Sequence, residues 1–222
     1  MIKSEHLARN NVILPVCLLI LILFYPLFQA DKSLVRDLLL SAVFFAGIFS
    51  LEFSARSRKL LLALATLTAG TTWIHHFIEN NLLYLIDFGT SSVTLAVIVV
   101  LMTRHIARSR IVTPTIILSS VNGYLLLGVL GAVLLSIADG IHVFLNGTGS
   151  AGILLPGQGS PEFSDYLYLA FITLTTVGYG DVTAVSHLTR SVAILIGLSG
   201  QLYMTILIAM LVGKFLAGQE GK

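Results

Sequence analysis

The amino-acid sequence predicts an all-α membrane protein with six transmembrane helices, plus a short re-entrant helix and loop between the fifth and sixth. Three observations carry this expectation. Of 222 residues, 56% are hydrophobic and 11% are charged, less than half of the roughly 25% charged in soluble domains. The apolar residues come in blocks, most of them long enough to cross a bilayer core, which takes about 20 helical residues. One further apolar segment is too short to span and runs into a loop whose two glycines stand two residues apart.

The blocks fall at 12–30, 34–53, 59–78, 82–103, 116–145 and 188–217. The first, "NVILPVCLLILILFYPLFQA", exceeds the roughly 7–15-residue apolar region of a signal peptide. Its Phe28-Gln29-Ala30 ending also lacks a small residue three back from any cut, so it reads as a retained span. The single cysteine, Cys17, lies inside this block, excludes an intrachain disulfide and reads as a small buried hydrophobe. After the fifth block comes the Gly-rich "NGTGSAGILLPGQGSPEF" and then "SDYLYLAFITLT". A half-length helix followed by irregular backbone is tolerated at membrane depth only where protein or a water-filled cavity surrounds it.

Basic residues orient the chain. Lys3, Arg9, Arg56, Arg58, Lys59, Arg104, Arg108, Arg110, Lys214 and Lys222 fall on one side, leaving Lys32, Arg36 and Arg190 for the other. The positive-inside rule makes the first side cytoplasmic. A multi-pass protein of the cell membrane with both termini cytoplasmic is therefore expected, with lipids as partners. The net charge of +2 carries no sign of a nucleic-acid partner. The short remainder after the sixth block leaves any ligand sensing to a separate regulatory protein. Paired catalytic carboxylates, nucleotide-binding glycine patterns and metal-ligand spacings do not occur, so neither an enzyme nor a bound cofactor is expected.

The loop "LTTVGYGDV", residues 174–182, needs its backbone for something. Glycine costs conformational entropy and weakens both helices and strands. To aim consecutive carbonyls at one axis, alternate residues must take opposite-handed dihedrals, which glycine supplies at little steric cost. Gly178 and Gly180 fit that demand, leaving Val177 and Tyr179 to turn outward as packing.

Thr175-Thr176-Val177-Gly178-Tyr179-Gly180-Asp181 resembles the selectivity-filter signature of potassium channels. The resemblance extends from Phe163 to about Leu216, as pore helix, filter and inner helix, with the fifth block as outer helix. It implies potassium sites at Thr176, Val177, Gly178 and Tyr179, bounded by Gly180, with potassium as the permeant ion. It implies filter support from Thr175 and from Asp181, the latter bonded to an aromatic of the pore helix, for which Tyr168 is the candidate. Some family members place a glutamate behind the filter where this chain has Ile172. One filter strand cannot encircle an ion, so a homotetramer is implied. The expected organisation is a four-helix, voltage-sensor-like but uncharged bundle at 1–110 and a pore domain at 111–222. Two other readings are a weakly selective cation channel and a non-conducting subunit of a mixed tetramer.

The remaining polar residues leave alternatives open. The fourth block carries no arginine, only Asp87, which argues against strong voltage gating. Arg104, Arg108 and Arg110 follow it and read as orientation and lipid-headgroup contacts. Gly197 and Gly200 read equally as gating hinges or as close helix packing. Gln201 and Met204 share a face directed at the cavity or at a neighbouring subunit. His75, His76 and Glu79 beside Trp73 read as an interfacial anchor, with a proton or metal sensor as the sharper alternative. Arg36, Asp37, Asp87 and Asp139 fall near outer span ends, where they either pair or contact water. Asn146-Gly147-Thr148 is a glycosylation sequon.

Overall fold

The computed structural model of the chain describes residues 12–28, 32–50, 55–78, 80–109, 112–147, 151–157 and 159–220. Helix α1 occupies Val12–Leu27; its last residues pass through a π turn, Ile20–Phe24, and a 3-10 turn containing Pro26. The further helices are α2 (Lys32–Phe49), α3 (Ala55–Phe77), α4 (Asn81–Arg108), α5 (Pro114–Asn146), α6 (Phe163–Leu174) and α7 (His187–Glu220). Two two-residue strands, β1 (Ile153–Leu154) and β2 (Thr183–Ala184), pair antiparallel, with Ile153 opposite Ala184. This small ladder is an addition to the all-helical expectation.

Among the described residues, three helices are long and apolar enough to cross a membrane, within α4, α5 and α7. The expected first three spans fall short of that for separate reasons. The described part of α1, Val12–Leu27, closes through a π turn and a 3-10 turn containing Pro26, whose nitrogen cannot donate to a continuing ladder. Helix α2 begins with Lys32, Arg36 and Asp37, and α3 begins with Arg56, Arg58 and Lys59 and carries several threonines.

The long helices start and stop where local chemistry says they should. Asn80 caps α4 by accepting from Leu82 N at 2.8 Å, and Thr113 caps α5 by accepting from Ile116 N at 3.3 Å ahead of Pro114. The α5 helix ends at Gly147, whose φ of 89° lies in the left-handed region.

Helix α5 is the hub of the fold. It packs against α4 on one side and against α6 and α7 on the other, and buries Leu126, Val129, Ala132, Val133 and Leu135 completely. The small residues along it bring neighbours close. A Cβ at Gly128 would collide with the Phe171 ring of α6, the kind of small-residue approach on which helix association in lipid depends. Between α4 and α5, Tyr84 donates to Ser136 O at 3.1 Å and pairs its hydroxyl with Ser136 Oγ at 2.7 Å.

Polar side chains inside the first four helices find partners within the fold. The hydroxyls of Thr68 and Thr94 meet at 2.7 Å, and those of Thr71 and Thr90 at 3.0 Å, joining α3 to α4. Thr72 donates to Asp87 at 2.5 Å. Asp37 is fully buried and takes Arg36 Nε at 2.8 Å and His76 Nδ1 at 3.1 Å. Of the two alternatives for these acids, pairing is the one observed. His76 also packs edge-on against Trp73; Glu79 lies outside the described residues. At the opposite end, Lys214 Nζ of α7 donates to Ile106 O and Ala107 O at 2.9 and 3.1 Å, capping the C-terminus of α4.

The close approach of α5 and α6 gives a stability prediction. Gly128→Ala should lower stability by about 1–3 kcal/mol through overpacking, read as a lower thermal midpoint of the detergent-solubilised protein. Adding Phe171→Leu should recover part of the loss; an unchanged midpoint in Gly128→Ala would contradict the contact.

Candidate functional site

The site grows out of the C-terminus of α6. That helix is built to start sharply: Glu162 N donates to Asp165 Oδ2 at 2.8 Å, and Asp165 adds a negative charge in the first turn. One face of α6 is buried through Phe163, Tyr166, Leu167, Ala170 and Leu174. Its last carbonyls do not go unpaired but hold the loop that follows. Phe171 O accepts from Thr175 N at 3.0 Å and from Thr175 Oγ1 at 2.7 Å. Thr173 O accepts from Thr176 N at 3.0 Å, and Ile172 O from Gly178 N at 3.1 Å. Tyr124 of α5 donates to Leu174 O at 3.3 Å. The negative end of the α6 dipole, equivalent to roughly half an elementary charge, thus lies where the loop begins.

The loop backbone alternates in handedness. Thr176, Gly178 and Gly180 have φ of 61°, 50° and 81°, while Val177 and Tyr179 stay at negative φ. In a plain strand successive carbonyls point to opposite sides; reversing the handedness of every second residue turns them toward one side. The two glycines are where the sequence places them. Thr176 is an addition: it is the one non-glycine at positive φ among the described residues, a conformation costing of order 1–3 kcal/mol that is retained at functional sites. A threonine gives no sequence signal for this.

The far end of the loop is tied back to α6. Tyr168 donates to Asp181 Oδ2 at 2.7 Å, and Val182 N donates to Asp181 Oδ1 at 2.9 Å. The phenol, then the backbone amide, hold the Asp181 carboxyl below the usual carboxylate range. Val177 and Tyr179 are 51% and 73% exposed, so the chain alone supplies little packing for either side chain.

The residues expected on α7 separate into two kinds. Gly200 is buried against α6, where a Cβ would collide with Leu174 O and come within 2.9 Å of Leu174 Cδ1. Close packing accounts for that glycine. Gly197 has more room: a Cβ there would stand 3.8 Å from Thr173 Cγ2. Gln201 and Met204 are both exposed in the single chain, as are Ile194, Leu195, Leu198, Leu202, Ile206 and Ile208. Asn146, of the sequon, ends α5 and donates to His142 O at 3.0 Å; Thr148 lies outside the described residues.

Residues 129–217, from the middle of α5 to near the end of α7, match a family model described as "Ion channel". No curated protein and no solved structure matches the chain. The matched stretch contains α6, the alternating loop and most of α7. It supports an ion channel in a membrane, and indicates a channel protein, not an enzyme.

The link between Tyr168 and Asp181 predicts a titration. The carboxylate is favoured by its donor, so that bond persists above the ordinary carboxylate range and is lost only as pH falls through the lowered midpoint. Carbon-13 NMR of labelled aspartate should place the Asp181 midpoint below about 3.9, and Tyr168→Phe should move it upward. An unmoved midpoint would show that the phenol does not act on the carboxyl.

Proposed function

We propose that this chain forms a homotetrameric, potassium-selective channel in the cell membrane, conducting passively through residues Thr176 to Gly180. The observation that carries the reading is the alternation of backbone handedness along Thr176–Gly180, in the sequence order of the potassium-channel filter signature. Removing an ion's hydration shell costs on the order of 20 kcal/mol in the bare Born picture. The carbonyls of Thr176, Val177, Gly178 and Tyr179, with the Thr176 hydroxyl, would replace the lost water oxygens. The α6 dipole favours a cation at the inner end of this column.

Four copies are needed because one strand supplies one wall. The exposure of Val177, Tyr179 and much of α7 in the single chain supports this, since each of those apolar surfaces would find a neighbour or the central cavity. Gln201 and Met204 would face that cavity or the adjacent subunit. The six-span layout, with both termini cytoplasmic, rests on the basic residues and on Asp37, Thr68, Thr71 and Thr72 of α2 and α3 being bonded within the bundle. Arg104 and Arg108 follow the apolar part of α4, and none stands within it, so strong voltage dependence is not expected. Lipids complete the surroundings.

The test is electrical. In planar bilayers holding the purified protein between unequal potassium and sodium solutions, the reversal potential should lie near the potassium equilibrium value. Gly178→Ala places a Cβ at φ 50°, costing about 1–2 kcal/mol in the left-handed region, and should abolish selective current while leaving membrane insertion intact. Wild-type-like potassium current from that variant would refute the filter assignment.

A further inference from the structure

The carboxylate of Asp139, near the C-terminal end of α5, is 4% exposed, and its two oxygens reach in different directions. One accepts from the Tyr166 hydroxyl of α6, the other from Gly152 N, in the connection between α5 and α6. Each partner leads to a different side of the filter. Tyr166 sits on the helix whose C-terminal carbonyls hold Thr175, Thr176 and Gly178, and is two residues before Tyr168, the donor to Asp181.

Gly152 leads to the other side. Its carbonyl accepts from Val185 N at 2.8 Å, Ser186 N at 3.1 Å and Thr189 Oγ1 at 2.6 Å. Those residues carry the chain from the end of the filter, through β2, into α7. The fit is close: a Cβ on Gly152 would lie 2.8 Å from Asp139 Oδ1 and 2.9 Å from Ser186 Oγ. A single carboxylate thus braces the segment that enters the filter and the segment that leaves it.

We infer that Asp139 is a positioning residue for ion selection, fixing the spacing of the filter from both ends through Tyr166 and Gly152. This rests on the potassium-channel reading above. Selectivity among monovalent cations depends on how far the ring of carbonyls can relax, so loosening either brace should admit sodium more readily. In this role Asp139 acts through α6 and through the Val185–Thr189 segment that follows β2, and not by holding an ion itself.

The experiment compares reversal potentials of wild type, Asp139→Asn and Tyr166→Phe in proteoliposome-fused bilayers with potassium on one side and sodium on the other. Reversal potential does not depend on how many channels fold, so a merely structural loss lowers current without moving it. Asp139→Asn should reduce the potassium-to-sodium permeability ratio about tenfold, the lower end of what supporting partners of an ion site contribute; Tyr166→Phe should reduce it less. If Asp139→Asn does not insert, Tyr166→Phe, which leaves the carboxylate in place, carries the test. A wild-type ratio that is high and unchanged in the variants that insert would overturn the role of Asp139 while leaving the channel reading intact. A wild-type ratio near unity would overturn the potassium-selective reading, and this inference with it.

Discussion

The structure depends on a backbone that changes hand at every second residue between Thr176 and Gly180. Such a backbone cannot sustain a helix ladder or a sheet ladder, so its amides and carbonyls must be held from outside. Helix α6 does this by stopping short: the carbonyls of Phe171, Ile172 and Thr173, left over at the helix end, take the amides of Thr175, Gly178 and Thr176. The cost at Thr176, a threonine in the left-handed region, is met by that same set of bonds. Helix, cap and loop form a single hydrogen-bonded unit.

Everything around that unit is arranged to keep α6 still. In an apolar surround there is little hydrophobic drive between helices, and small residues and polar contacts give association its specificity. Gly128 lets Phe171 lie against α5, and Gly200 lets α7 approach Leu174 O. Tyr84 fixes α4 to α5, and Phe88 of α4 and Tyr25 of α1 both lie against Phe163 at the start of α6. The buried acids of the first four helices are neutralised or bonded locally, Asp37 by Arg36 and His76, Asp87 by Thr72, as a membrane interior requires.

Much of this is legible in the sequence because it depends on local chemistry. The apolar blocks and the short segment at Phe163–Leu174 follow from residue type alone. So do the glycines at 178 and 180, whereas Tyr168 as the partner of Asp181 comes only from the family resemblance. Other features depend on three-dimensional neighbours and leave no trace in one sequence. Gly200 reads equally as hinge or packing position in the sequence, and its close approach to Leu174 O is visible only in the fold. Thr176 gives no hint of positive φ, and Asp139 reads as one more acid at a span end until Tyr166 and Gly152 arrive at its two oxygens. The polar starts of α2 and α3 blur their status as spans, and the partners of Asp37 and Asp87, His76 and Thr72, come from another helix that only the folded bundle brings near.

A channel of this kind requires main-chain oxygens of Thr176 to Tyr179 from four chains to share one axis and bind dehydrated monovalent cations. Anomalous X-ray scattering from crystals grown in rubidium would show this without recourse to current. A column of peaks is expected on a four-fold axis, in register with those carbonyls and weakened in sodium. Peaks elsewhere, or loops from separate chains lying far apart with no ion between them, would contradict it.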